Sequence, residues 1–478
     1  MRKGICLLIV TGFLAILAAQ RFVGLNERAF AQNARRTPKP DLQQQYRDSH
    51  PEASLSPLET LGKDIFFDKN LSNPSGVSCA SCHNPEAGYA GSVDSKINEK
   101  YGVGIGALHT RCENRNPPTI TYSKFCPAGP PVFNQGLQSY VGGFFRDGRK
   151  PDLKSQVRLP LMHPNEMNNN IDNVPAPQLV VEKIRTAEYA PLVRQVFGAN
   201  VFNQPTDKIL DCVADAVTAF ESSKEVSPFS SKYDAYLAGK AQLTPSEKNG
   251  FELVTGFETG SPNMRMHKSA QCAVCHTIQI EHDKGPDLWT QYCYTNIGVP
   301  KNLGNPYYYE TNRQTNPLGY NPLGWDYIDL GLGGFLYPEK GLPPGNIGPG
   351  NNGQGDFLSV NGVFKVPTLR NVDKRPYPGF VKAYMHNGYF KSLKDIVHFY
   401  NTRNLTSVPG EIIDFTKDNP YQSLKGKPIW PAPEYAAPVT LVNPTGQSGG
   451  IGNLGLTEAE EADIVAFLKT LSDAHTQP

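Results

Sequence analysis

Cys79-Ala-Ser-Cys82-His83 and Cys272-Ala-Val-Cys275-His276 decide how this chain is read. Both have the form C-x-x-C-H, the attachment signature of a c-type haem. Two thiols three positions apart reach the two vinyl groups of one porphyrin. The adjacent imidazole then lies under the iron as proximal ligand. The competing readings are a single four-cysteine zinc site or two redox-active C-x-x-C pairs. A histidine directly after each pair speaks against both. The sequence therefore predicts two covalent haem c groups, one on Cys79, Cys82 and His83, the other on Cys272, Cys275 and His276.

Working outward, the 478 residues are 39% hydrophobic and 19% charged, enough for a buried core and room for two or three domains. The formal net charge is +1. The first 31 residues read as a signal peptide: Arg2 and Lys3 begin it, Ile5 to Ala19 is apolar, and Ala29-Phe30-Ala31 is an A-x-A cleavage site. That leader carries four basic residues and one acidic, so its removal leaves a balance of −2. Nucleic-acid binding needs a basic footprint, which this chain lacks. The apolar run is short for a bilayer span, and no later segment is apolar enough to span. The expectation is an exported, soluble protein, periplasmic if the source is Gram-negative. Four further cysteines, Cys112, Cys126, Cys212 and Cys293, suggest up to two disulfides in that compartment. The pairing expected is Cys112–Cys126 and Cys212–Cys293, one of three connectivities the sequence permits.

Residues 32–50 are polar. Ser56-Pro57 opens a helix striped by Leu58, Leu61 and Ile65. The stretch from Gly102 to Gly143 reads as loop. Helical patterns resume near Leu179–Phe197 and Asp207–Ser222, the latter with Ile209, Leu210, Val213, Val217 and Phe220 on one face. Further starts are Thr244-Pro245-Ser246-Glu247, Ser392 and the capping box Thr457-Glu458-Ala459-Glu460. Residues 301–356 are dense in Gly, Asn, Pro and Tyr with almost no periodicity. Strand signals are few and short. The chain thus reads as two mainly helical halves, each around one haem, joined near residues 225–245.

Two haems in one exported chain mean electron transfer, or redox catalysis fed by it. A carrier needs both irons saturated. An enzyme needs an open distal side and a polar group that moves protons.

Other segments supply a resemblance. Phe144-Phe145-Arg146-Asp147-Gly148-Arg149, then Gln156, Pro160 and Asn165-Glu166-Met167, resembles the distal segment of the bacterial di-haem cytochrome c peroxidase / MauG family. Phe364-Lys365-Val366-Pro367-Thr368-Leu369-Arg370-Asn371-Val372 and Tyr384-Met385-His386-Asn387-Gly388 resemble its signature before the second axial ligand. Asn116-Pro117-Pro118-Thr119 and the closing helix Ile464-Val465-Ala466-Phe467-Leu468 also fit. The likeness covers roughly residues 50–475. It implies a mainly α fold of two cytochrome c-like domains with long irregular loops, 51–235 and 236–478, with 301–356 an insertion.

By that resemblance the first haem reacts with peroxide. Glu166 is its acid–base group and Gln156 the neighbouring amide. One group must take the proton from the near oxygen of peroxide and return it to the departing one. The second haem transfers electrons. Its second axial ligand, fourteen residues after His386, falls on Tyr400, with Met385 in reserve. Tyr400 also sits on the apolar stripe of its own helix, where an aromatic is normally core. His109 matches the loop histidine that blocks the first iron at rest in many relatives. Asn116, Val381 and Ala383 match a Ca²⁺ site that draws on carbonyl oxygens. One departure stands out: the family usually has Trp immediately before Asp-Gly-Arg, where this chain has Arg146. Arginine cannot serve as a hole-hopping site.

The function expected is reduction of hydrogen peroxide to water with electrons from a small cytochrome c or cupredoxin. The alternative is a MauG-like enzyme that oxidises a protein or organic substrate through a high-valent di-haem state. Tyr400 favours the second and Arg146 weakens it. A non-catalytic di-haem carrier has no use for Glu166 and Gln156. By analogy with the family, a homodimer is expected.

Overall fold

The computed structural model describes residues 55–172, 174–258, 267–278, 287–336, 360–405, 429–436 and 450–474. The expected leader, the segment 32–50 and residues 337–356 of the insertion lie outside the described residues. The fold is mainly helical. The longer helices are α1 (Pro57–Phe67), α2 (Leu153–Met162), α3 (Pro177–Thr186), α4 (Ala190–Phe197), α5 (Thr206–Glu221), α6 (Pro245–Thr255), α7 (Leu393–Thr402) and α8 (Glu458–Lys469). Three of them start by one local device. Ser56, Thr244 and Thr457 each accept the backbone N–H three residues on, and the Glu found there bonds back to the cap N–H. This reciprocal box satisfies donors that a helix start otherwise leaves open.

Two hydrophobic cores follow. The first packs Leu61, Ile65 and Phe66 of α1 against Leu210, Val213, Val217 and Phe220 of α5, with Val157 and Leu161 of α2 beside them. The second packs Leu253 and Val254 of α6 against Ile464, Phe467 and Leu468 of α8, with Trp289 and Phe399. Burying each large side chain contributes about 1.5–3 kcal/mol. The two helix pairs cross at a glycine in the same way. A Cβ at Gly62 would lie 1.9 Å from the Ala216 carbonyl oxygen, and one at Gly250 would lie 1.9 Å from that of Asp463. Each half thus relies on a bare backbone position for its closest helix contact.

The stretch expected to be loop, Gly102 to Gly143, holds the hairpin β1 (Val132–Asn134) and β2 (Ser139–Val141). Strands β3 (Asn170–Ile171) and β4 (Val174–Pro175) make a second small ladder. Strands β5 (Tyr294–Thr295) and β6 (Phe364–Lys365) make a third, and the Val141–Cys293 bridge ties the hairpin to it. Helix α2 also has no counterpart in the sequence reading. Its stripe, Leu153, Val157 and Leu161, is short, and Pro160 within it masks the signal. At the expected join, a short helix Lys232–Leu237 buries Tyr233 in the second core.

The expected disulfides are not present. All eight described cysteines are free thiols. Cys112 packs with Tyr101 and Val103, whereas Cys126 packs with Phe144 and Leu153 and donates to the Gly143 carbonyl at 3.4 Å. Cys212 lies on α5 against the first core, and the Cys293 thiol donates a hydrogen bond to Cys275 Sγ. Cys112, Cys126 and Cys212 sit in three separate packing clusters, so parity and compartment did not decide their partners.

Buried asparagines order the described part of the insertion. Asn302 donates to the carbonyls of Tyr101 and Asn387, Asn305 to that of Asn114, and Asn321 to those of Tyr307 and Gly324. Amide side chains here do the work that helix or strand ladders do elsewhere. Among the described residues, no helix is long and apolar enough to cross a membrane.

Candidate active site

Each C-x-x-C-H segment lines its own cavity. The first, about 170 Å³, is lined by Cys79, Cys82 and His83 together with Gln156 and Glu166. The second, about 220 Å³, is bounded by Cys272, Cys275, His276, Met385 and Tyr400. His83 Nδ1 lies 2.9 Å from the Pro118 carbonyl oxygen, and His276 Nδ1 lies 3.0 Å from that of Trp289. A carbonyl only accepts, so each Nδ1 carries the proton and each Nε2 keeps its lone pair. Metal-binding histidines are held in this way. Burial lowers His83 and brings His276 down to about 4, so both rings are neutral at pH 7.

Gln156 comes from α2, and Glu166 from the turn that follows it. The Glu166 N–H donates to the His163 carbonyl, and its own carbonyl accepts from Ala107 N–H at 2.7 Å. Asn165 is locked to the insertion: its Nδ2 donates to the Gly319 carbonyl, and its Oδ1 accepts from Asn316 Nδ2. Burial, then the Glu113 carboxylate, raises Glu166 to about 7, against the opposing charges of His163 and Arg149. Burial would raise Glu113, but the charges of His163, Arg149 and Arg115 together hold it below the usual carboxylate value. His163 Nδ1 is 2.7 Å from Glu113 Oε1. Burial would lower that imidazole, but Glu113 lifts it to about 9.

The expected residues do not all meet. Tyr400 and Met385 line the second cavity together. His109 is exposed and borders neither cavity. The structure brings Asn116 to Ala383, with Nδ2 donating to the Ala383 carbonyl at 2.9 Å, and leaves Asn116 Oδ1 buried without a partner. The Val381 carbonyl is taken by Asn98 Nδ2 at 3.1 Å.

Several residues line the cavities without having been assigned a site role from the sequence. Glu113 and Arg115 line the first cavity, and Arg115 is held between Asp147 at 2.6 Å and Asp329 at 2.7 Å. Arg146 and Lys365 line both cavities. Arg146 Nε donates to the Asn116 carbonyl at 2.7 Å, and burial with the charge of Arg115 lowers it to about 9. His163 carried one local signal, its place three residues before Glu166, and Lys365 lies in the segment that resembles the family signature, without a role assigned to it. Glu113 carried none.

Comparison with known proteins agrees with this geometry. Residues 56–242 match the family described as di-haem cytochrome c peroxidase. The chain is 32% identical over 423 residues to the methylamine utilization protein MauG of Paracoccus denitrificans, covering 88% of this chain and 90% of that one. It is 27% identical over 343 residues to the cytochrome c551 peroxidase of Nitrosomonas europaea, covering 71% of each. The crystal structure of the diheme peroxidase BthA from Burkholderia thailandensis superposes with a TM-score of 0.61 at 28% identity, over 89% of this chain and 87% of that one. Two cavities, each lined by a C-x-x-C-H segment, fit the class of di-haem, c-type oxidoreductases to which these relatives belong. The chain belongs to the di-haem cytochrome c peroxidase family, which includes MauG. The family implies two haem c groups, and the paired thiols and free imidazole Nε2 atoms fit them.

Proposed function

We propose that this enzyme reduces hydrogen peroxide to water in the first cavity, with electrons from a small cytochrome c or cupredoxin entering through the second. One observation carries the reading: Gln156 and Glu166 face the same cavity as Cys79, Cys82 and His83. Cys79 and Cys82 would hold one haem and Cys272 and Cys275 the other, with His83 and His276 as proximal ligands and Tyr400 as second ligand in the second cavity. Bound haem c would supply iron that takes up and passes electrons one at a time.

The protein's own groups handle the proton. Glu166, deprotonated, accepts the proton of the near peroxide oxygen and returns it to the departing one. The Gln156 amide orients the substrate without competing for that proton. An acid–base group with a pKa near the working pH suits both directions of transfer. The Asn116 side chain, with Nδ2 on the Ala383 carbonyl and Oδ1 buried without a partner, supports Ca²⁺ binding there. The leader supports export to the periplasm. The test is peroxide-dependent oxidation of a reduced small cytochrome by the purified holoprotein. Absence of turnover would remove the reading.

A second reading, MauG-like oxidation of a protein or organic substrate, is favoured by Tyr400 in the second cavity and by the exposure of His109 away from the first. A long-lived spectral change on mixing ferric protein with peroxide, without reductant, would select it.

A further inference from the structure

Reduction of one hydrogen peroxide to two waters consumes two electrons and two protons. Glu166 shuttles a proton from one oxygen to the other, which adds none. The two consumed protons must reach a buried site from solvent. This requirement rests on the peroxidase reading above.

Glu113, His163 and Glu166 place their polar atoms within 4.8 Å of one another. Glu113 and Glu166 line the first cavity, and His163 does not. His163 instead lines an adjoining outer cavity of about 490 Å³, with Lys150, Ser155, Arg158 and Asn170. Its side chain is 31% exposed, against 17% for Glu113. The imidazole therefore stands in the wall between the outer cavity and the reaction site, with Nδ1 2.7 Å from Glu113 Oε1.

We propose that His163 and Glu113 form the proton-supply path to Glu166. The ring takes a proton from water of the outer cavity and releases its Nδ1 proton to Glu113. Glu113 passes it to Glu166 across a span that one water bridges. One proton enters the ring and one leaves it in each pass, and two passes balance one peroxide. The carboxylate of Glu113 keeps the imidazole charged at neutral pH, so the first carrier stays loaded. The other charged groups near the trio are Arg149, held by Asp147 at 3.1 Å and stacked over Phe145 at 3.7 Å, and Arg115, held by Asp147 and Asp329. Lys150 and Arg158 border the outer cavity beside His163, with Arg158 paired to Asp207 and Asp211. These cations do not release protons at neutral pH, which leaves the transfer to the three named groups.

The experiment compares wild-type, H163A, H163Q and E113Q holoproteins in steady-state peroxide reduction with a reduced cytochrome. Haem content and resting spectrum serve as the folding control. The expected result is a loss in kcat of roughly 100-fold in all three variants. Imidazole added to H163A restores turnover by entering the outer cavity, and the restored rate follows the protonated fraction of the added imidazole. A structural role would not produce that dependence. H163A or H163Q with wild-type kcat would overturn the path, as would a loss in H163A that imidazole leaves unchanged. If H163A does not fold, wild-type kcat in E113Q overturns it equally. A wild-type protein that does not turn over peroxide would sink the peroxidase reading, and the path with it. Turnover kept by the variants sinks the path alone.

Discussion

Lys365 donates its backbone N–H to the carbonyl of Arg146 at 2.9 Å, which fastens two cations into the wall shared by the two cavities. Arg146 Nε donates to a backbone carbonyl, and Lys365 Nζ likewise donates to the Gly143 carbonyl at 2.6 Å. The nearby carboxylates of Asp147 and Asp329 are engaged by Arg115. A fixed cation beside a haem opposes the more positive ferric state and so raises the reduction potential. R146Q is expected to lower the potential of at least one haem by about 59 mV, a tenfold change in a one-electron equilibrium. Spectroelectrochemical titration checks this, and unchanged potentials in R146Q would remove the electrostatic role.

Glu166 at about 7 gives the reaction an acid limb. The group works as a carboxylate, so kcat/KM should rise as pH increases through about 7. It should level off and then fall once His163, at about 9, loses its proton. E166Q should lose the acid limb and roughly 100-fold or more in rate. A pH–rate profile of wild type and E166Q decides the point.

Tyr400 lines the second cavity together with His276. A phenolate ligand favours ferric iron, because an anion offsets its higher charge. Y400M should therefore raise the potential of the second haem and change its ferric absorption and EPR spectra. An unaltered ferric spectrum in Y400M would show that Tyr400 is core and not ligand.

Gly62 and Gly250 set the closest approach of α1 to α5 and of α6 to α8. G62A or G250A forces a methyl group into a neighbouring carbonyl and should cost about 1–3 kcal/mol, since packed helices must separate. Denaturant unfolding of each holoprotein measures it. No loss would mean that the crossing relaxes freely.

Asp147 shows the acid side of stability. Burial alone would raise its carboxyl, but Arg115 and Arg149 hold it down at about 2. A lowered carboxyl stabilises the fold above its unfolded value near 4, and that contribution is lost as pH falls toward 2. D147N removes one of the two carboxylates that hold the buried Arg115 and the partner of Arg149, and should cost about 3 kcal/mol at neutral pH. It should also flatten the fall in stability between pH 4 and pH 2. Unfolding midpoints across that range test both statements.

The sequence by itself determined the cofactor motifs, the helix starts and the family. Each of these is local chemistry: C-x-x-C-H spacing, reciprocal Ser or Thr to Glu caps, and apolar stripes at helical period. Gln156 and Glu166 were legible for the same reason, through a short ordered motif. Helix α2 was not, because Pro160 interrupts a stripe only three residues long.

The tertiary structure alone decided the rest. It brought Glu113 to His163 and Lys365 to Arg146, exposed His109 and kept the remaining cysteines apart. Those outcomes depend on which loops pack together across long stretches of chain. Electrostatic and thiol partners are chosen by proximity in space, and local spacing carries no record of it.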